Sequence, residues 1–186
     1  MRTYNFFVVE IEKTTQDTMV TESGLELYID TRFNEFEHRT QSGKVIAVPF
    51  KYDHGVKVGD ELYFHHRVVL QEGQALTGYD NHYLVSYHEN DALECQAIAY
   101  KCKDTGEIHP LSSWHLIEQI QEERDEKSDS LEICFETKFT KELNVKPGDT
   151  VVFMKNHDYD VLVDGKPYGR VPTQSLLYVE EEVHND

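Results

Sequence analysis

Long apolar segments are absent from this 186-residue chain, and no stretch approaches the roughly 20 apolar residues that a membrane-spanning helix needs. The opening residues, MRTYNFFVVEIEK, lack the apolar core of a secretory signal, because charge returns at Glu10. The three cysteines, Cys95, Cys102 and Cys134, form no CxxC motif and leave an odd thiol, which argues against a disulfide scaffold or a zinc ribbon. These absences predict a protein of a reducing cytoplasm.

Basic residues are also scarce. The chain has 18 Lys and Arg against 35 Asp and Glu, which gives a formal net charge of −17, and the basic residues form no cluster. Because phosphate backbones repel such a surface, we expect no nucleic-acid partner. The acidic residues either form a solvated surface or line a region that faces a partner or a cavity.

Signatures of catalysis and cofactor binding are missing as well. The sequence contains no GxSxG, no Walker lysine motif, no GxGxxG and no HExxH. Ten histidines are present, but the adjacent pair His65 and His66 would point to opposite faces of a strand, where they could not share a metal ion. We therefore predict no catalytic residue, no metal site and no cofactor, and expect that the protein is not an enzyme.

An internal repeat is the most informative feature that the chain does have. VKVGDELYF, at 56–64, matches VKPGDTVVF, at 145–153, with an offset of 89 residues. The same offset places Tyr79 on Tyr168 and KVIAV, at 44–48, on ICFET. Each VKxGD predicts a tight turn before a strand, since glycine accepts a positive φ and aspartate can bond nearby backbone amides.

Short apolar segments separated by turns continue through both halves and predict an all-β fold. The Asp164-Gly165 pair is a strong hairpin signal. Strands this short favour small barrels, so we expect two β-barrels in tandem, at 1–105 and 106–186. The linker falls at 103–113, where Gly, Pro and Ser concentrate.

The segment at 112–127, SSWHLIEQIQEERDEKS, is open to two interpretations. Apolar residues at three-residue spacing fit a linker helix. Alignment of HLIEQIQ with FVVEIEK at an offset of 108 instead makes it the first strand of the second barrel, which we favour. The two offsets then make the second copy 19 residues shorter, and the loss falls between its first two strands.

In the first copy, that interval holds a short apolar island within a polar segment. VTESGLELYID, at 20–30, contains Leu25, Leu27, Tyr28 and Ile29 after Gly24. The island either docks on a partner protein or forms an ordinary strand, LELYI, that faces its own core.

These features together resemble the GroES-like co-chaperonins. The resemblance covers residues 6 to about 100, with a weaker second copy from about 114 to 182, and depends on VKxGD after SGKVIAV and on the early Gly-hinged loop. It implies small irregular β-barrels that assemble into a homo-oligomeric ring, a heptamer in this family, and close the chamber of a GroEL-type chaperonin in its ATP-bound state.

The resemblance also implies which residues bind the chaperonin. The mobile loop corresponds to 14–42, and its docking motif to six consecutive residues: Gly24, Leu25, Glu26, Leu27, Tyr28 and Ile29. VTESGL is similar to the loop of phage-encoded co-chaperonins, which implies a bacterial host cytoplasm as the location.

Three departures from the family pattern keep other functions open. Glu26 interrupts the usual run of aliphatic residues, FKYDHG at 50–55 is too short for the family's roof hairpin, and the second copy has lost its loop. The main alternative is a structural or adaptor β-barrel that reuses the fold without binding a chaperonin. A metal-dependent enzyme is a third, weaker possibility.

Overall fold

The computed structural model describes residues 1–12, 18–28, 40–70, 74–92, 94–111, 114–123 and 128–180. Two antiparallel sheets of six strands make up most of the described structure, which confirms the prediction of an all-β protein. The helical elements there are short: α1 at Lys138–Glu142, and 3-10 turns at His66–Val69 and Thr173–Ser175. None of the helices in the described part of the chain has the length and apolar character that a membrane crossing requires.

The first half of the chain builds the first large sheet and a separate hairpin. Its strands are β1 Phe6–Glu10, β2 Thr18–Val20, β3 Glu26–Tyr28, β4 Ser42–Ala47, β5 Glu61–Phe64, β6 His82–Ser86, β7 Ala97–Lys101 and β8 Ile108–Pro110. The sheet has the order β6-β1-β4-β5-β7-β8, while β2 and β3 pair only with each other. Strand β4 shows why these segments are strands, since alternate residues, Gly43, Val45 and Ala47, are buried.

The second half builds the second sheet. Its strands are β9 Trp114–Glu123, β10 Ser128–Ile133, β11 Thr150–Met154, β12 Tyr159–Val163, β13 Lys166–Pro172 and β14 Leu176–Val179, in the order β12-β13-β9-β10-β11-β14. Strand β9 resolves the ambiguity at 112–127 in favour of a strand. The predicted Asp164-Gly165 hairpin joins β12 to β13, and both turn residues have positive φ.

Five strands follow the same order in the two sheets. The series β6-β1-β4-β5-β7 in the first sheet corresponds to β13-β9-β10-β11-β14 in the second. Corresponding strands also follow one another in the same order along the chain. The last two strands of each series also carry a register shift at the same place, beside Phe64 in one sheet and Phe153 in the other. The sequence repeat therefore corresponds to a repeat of topology.

The first VKxGD turn is closed by a small set of hydrogen bonds. The backbone N–H of Lys57 donates to the Asp60 carboxylate at 2.7 Å. The N–H of Gly59, at φ +96, donates to the carbonyl of Val45 at 2.8 Å, and the N–H of Val45 donates back to the Asp60 carbonyl. The turn thus fixes the start of β5 against β4.

The second turn repeats this set atom for atom. Lys146 N–H donates to the Asp149 carboxylate at 2.8 Å, and Gly148 N–H, at φ +95, donates to the carbonyl of Ile133 at 2.8 Å. Ile133 N–H donates back to the Asp149 carbonyl at 3.1 Å. Both VKxGD predictions are therefore confirmed, and Val45 is the structural equivalent of Ile133.

Two other alignments drawn from the 89-residue offset are wrong. The equivalence of Val45 with Ile133 shifts the KVIAV match by one residue. Tyr79 lies in an exposed turn before β6, whereas Tyr168 is a buried residue within β13. The offset changes because connections differ in length and because the second sheet gains an extra strand, β12.

The apolar core has three parts. The first lies within the first sheet: Phe7, Val9, Ile11, Val45, Val56, Leu62, Phe64, Val68, Val85, Tyr87, Cys95, Ala97 and Leu111. Another lies within the second sheet: Ile117, Leu131, Ile133, Val145, Val151, Phe153 and Val171. The middle cluster joins the two sheets: Tyr63, Ala92, Ile98, Ala99, Trp114, Leu116, Val161, Val163 and Tyr168. Each sheet thus covers its own core, and a shared buried layer holds the sheets together.

The chain passes from the first sheet to the second close to the predicted linker at 103–113. Strand β8 still pairs with β7, and the second sheet begins at Trp114. Each large sheet has two end strands among the described residues, β6 and β8 in one, β12 and β14 in the other. Closure into two barrels is therefore not confirmed, and the described strands form two open sheets.

Candidate docking hairpin

The predicted docking segment forms a small hairpin of β2 and β3. Thr18 pairs with Tyr28, and Val20 pairs with Glu26. At the tip, the N–H of Thr21 donates to the Leu25 carbonyl at 2.9 Å. The hairpin is therefore closed by backbone bonds from its base to its tip.

The residues TESG explain why the chain turns at this point. Gly24 has φ +81 and donates its N–H to the carbonyl of Thr21 at 2.8 Å. The Thr21 hydroxyl accepts the N–H of Leu25 at 3.1 Å and lies 2.9 Å from the Ser23 hydroxyl. Glycine supplies the left-handed backbone, and threonine bonds the backbone that the turn leaves unpaired.

Strand alternation in β3 places the apolar Leu27 and the charged Glu26 on opposite faces of the hairpin. Successive side chains of a strand point to opposite faces, so within β3 Leu27 lies on one face and Glu26 on the other, while Leu25 directly precedes the strand. Tyr28 lies on the face of Glu26. Leu25 is 60% exposed, Leu27 39% and Tyr28 85%. Glu26 therefore lies opposite Leu27, although it interrupts the apolar motif in the sequence.

The alternative that LELYI packs on its own core is wrong for the described residues. Glu26–Tyr28 is a strand, as that alternative required, but every residue from Ser23 to Tyr28 is exposed. The hairpin pairs with neither large sheet. Ile29, the last predicted docking residue, lies outside the described residues, as do 14–17 and 29–39 of the predicted mobile loop.

The second sheet has no counterpart of this hairpin. Strands β9 and β10 are separated by only four residues, 124–127, where β1 and β4 are separated by 11–41. Val9 and Val45 pair across 36 positions, and their equivalents Ile117 and Ile133 pair across 16. The second copy is thus 20 residues shorter here, one more than predicted, so the chain carries one hairpin for two sheets.

The short segment at 50–55 forms no hairpin. His54 closes it, because its Nδ1 accepts the Val56 N–H at 3.1 Å, which leaves the proton on Nε2 for the Pro49 carbonyl at 3.0 Å. The exposed Phe50 stacks edge-on against the exposed Tyr4, with ring centroids 5.3 Å apart. Sequence reasoning missed this structural role of His54, since histidine spacing alone says nothing about backbone acceptors.

The expectation for His65 and His66 is wrong. The two residues do not lie on a strand, because His65 caps the 3-10 turn that begins at His66, and their ring centroids are 4.4 Å apart. His65 Nδ1 accepts the N–H of Arg67 at 3.1 Å. Among the described residues, no group of three His, Cys, Asp or Glu side chains is arranged to hold a metal ion.

Comparison of the chain with protein-family models finds no match, and comparison with curated proteins finds no significant match. The resemblance to the GroES-like co-chaperonins therefore stays a prediction from the motifs of this sequence alone. The sequence motifs from which it is predicted lie in the two VKxGD turns and in the exposed hairpin with Leu25 and Leu27.

Proposed function

We propose that this protein is a co-chaperonin of the GroES-like type, encoded by a phage, that caps a GroEL-type chaperonin ring and assists ATP-dependent protein folding. The observation that carries the proposal is the hairpin of β2 and β3, which exposes Leu25 and Leu27 and pairs with no other described strand. Exposed apolar side chains on a hairpin outside the two large sheets are suited to docking in an apolar groove of a partner.

The energy of one docked hairpin is small. Burial of a whole leucine is worth about 1.5–3 kcal/mol. Because Leu25 and Leu27 are 60% and 39% exposed, docking the pair adds about 1.5–3 kcal/mol in total. The hairpin is already closed by its own backbone bonds, so docking orders fewer residues than an unstructured loop would require.

A ring of copies turns this weak contact into a useful one. Once one hairpin docks, the others bind at high effective concentration, and avidity can rise by a factor on the order of 10² to 10⁴. We propose a homo-oligomeric ring, a heptamer by resemblance, that acts in the cytoplasm of a bacterial host. Weak individual contacts let such a lid dissociate again.

The repeated strand order supports a tandem arrangement of two GroES-like units at 1–105 and 106–186. Five strands share one order, and both VKxGD turns use the same hydrogen bonds. In this proposal the first unit carries the docking hairpin, and the second unit adds wall or roof to the chamber.

The test compares the two faces of the hairpin. Leu25→Asp and Leu27→Asp should abolish ATP-dependent binding to a GroEL-type chaperonin and chaperonin-assisted refolding of a denatured substrate. Glu26→Gln, a matched change on the opposite face, should keep both activities. Because Leu25 is exposed, Leu25→Asp should change the free energy of unfolding by no more than about 0.5 kcal/mol.

Two results would contradict the proposal. One is refolding activity of both aspartate variants at the level of the unmodified protein. The other is absence of any ATP-dependent binding by the unmodified protein, which would favour the structural or adaptor role.

A further inference from the structure

Arg170 is a buried cation between two aromatic rings. It lies on β13 and pairs directly with Tyr159 on β12. Trp114 on β9 stands two pairs away, since the register joins Arg170 to Leu116 and Pro172 to Trp114. The guanidinium carbon is 4.5 Å from the Trp114 ring centroid and 5.3 Å from that of Tyr159. Only 5% of Arg170 is exposed.

No carboxylate accompanies this charge among the described residues. Arg170 Nε and Nη1, and Trp114 Nε1, are buried nitrogens that have no hydrogen-bond partner there. The groups that act electrostatically on Arg170 are Tyr159 and Cys95, and burial lowers the pKa of Arg170 to about 10, so it remains protonated at neutral pH. The described part of the chain thus leaves its buried arginine without a carboxylate partner.

The stacked rings offset part of this cost, since cations bind the faces of Trp and Tyr. Arg170 Nε and Nη1 nevertheless have no hydrogen-bond acceptor among the described residues. Buried N–H groups are nearly always hydrogen-bonded to the protein or to ordered water, so the donors of Arg170 and Trp114 are open to an acceptor from outside the described chain.

His65 adds a further donor on the side of the first sheet. Its pKa is lowered to about 3, first by burial and then by the charge of Arg170, so the ring is neutral at pH 7. Since Nδ1 accepts the Arg67 N–H, the proton of the neutral ring is on Nε2. The surroundings of Arg170 are therefore rich in donors.

We propose that Arg170 and Trp114 form a binding site for one small oxyanion, a carboxylate or a phosphate group, at the junction of the two sheets. The guanidinium supplies the charge and charge-assisted hydrogen bonds, which are shorter and stronger than neutral ones. The indole N–H supplies a further bond. Tyr159, which is about half exposed, lies against the guanidinium on the other strand of the pair, with its ring centroid 5.3 Å from the guanidinium carbon.

The single tryptophan makes the site directly observable, because Trp114 fluorescence reports on no other place in the chain. The intact protein is titrated with sodium phosphate and, separately, with sodium acetate, with chloride replaced to hold ionic strength constant. The site predicts a saturable change in Trp114 emission with at least one anion. The comparison of phosphate with acetate shows whether the ligand group is a phosphate or a carboxylate.

Arg170→Met should raise the dissociation constant at least tenfold, while Lys166→Met should leave it unchanged. Lys166 is a matched control on the same strand, stacked 5.0 Å from the Tyr168 ring but paired with Glu118 at 2.8 Å. If Arg170→Met does not fold, Arg170→Lys is titrated in its place. This variant should bind the anion more weakly than the unmodified protein. A linear, non-saturating response of the unmodified protein to both anions would overturn the proposal, as would equal affinities of the unmodified protein and a folded Arg170 variant.

Discussion

Asp60 and Asp149 hold the same position in the two VKxGD turns, but Asp60 makes one bond more. Both carboxylates accept the N–H of the lysine three residues earlier, at 2.7 and 2.8 Å. The buried Asp60 also accepts the N–H of Lys103 at 3.1 Å and thereby ties the turn to the chain that follows β7.

Asp60→Ala should therefore destabilise the protein more than Asp149→Ala. The change at Asp60 leaves two backbone N–H groups unpaired beside a buried site and should cost about 1–3 kcal/mol, while the change at Asp149 should cost about 0.5–1.5 kcal/mol. Urea unfolding of the two variants measures both values. Equal costs, or the reverse order, would count against the structural difference between the turns.

Gly148→Ala should cost about 1–2 kcal/mol through backbone strain alone. Gly148 has φ +95, and a Cβ placed there would meet no atom within 4 Å, so no clash contributes. Lys146→Ala in the same turn keeps the backbone bond and serves as the control. A cost below about 0.5 kcal/mol in thermal or urea unfolding would show that the turn relaxes to another conformation.

Stability should fall as pH decreases from about 6.5 toward 4, in part because of His115. This residue is fully buried, and burial lowers its pKa to about 4. In that window the unfolded chain binds a proton that the folded chain excludes, so protons favour unfolding. His115→Gln should flatten the dependence of the unfolding free energy on pH between 6.5 and 4. An unchanged slope would show that other groups dominate, His65 among them.

The three thiols should react in a fixed order. The pKa of Cys102 is lowered by hydrogen bonds from Thr105, whereas burial raises the pKa values of Cys95 and Cys134 to about 11. Because the thiolate is the reactive form, a thiol reagent at pH 7.5 should label Cys102 first. Cys102→Ser should remove the fast phase and leave the slow ones. Fast labelling that survives this change would contradict the assignment.

The sequence predicts the strands well where local chemistry decides them. The VKxGD turns and the Asp164-Gly165 hairpin depend on residues that need positive φ, and both are found where the motifs place them. The choice of a strand at Trp114–Glu123 came from the repeat, because local spacing alone fitted a helix equally well.

Features that depend on distant residues were not predictable in this way. The contact of Arg170 with Trp114 and Tyr159 needs the register of three strands, which no local pattern reveals. The extra strand β12 changes the offset between the two copies, so the constant offset of 89 residues aligns Tyr79 with Tyr168 incorrectly. The hairpin was predictable as an apolar island, but its exposure depends on the absence of a partner strand.

The middle cluster has a mechanical consequence. Rotation of one sheet against the other would separate Trp114 and Leu116 from Tyr63 and Ile98 and expose these buried side chains to solvent. We therefore expect the two sheets to move together as one rigid body under an applied force.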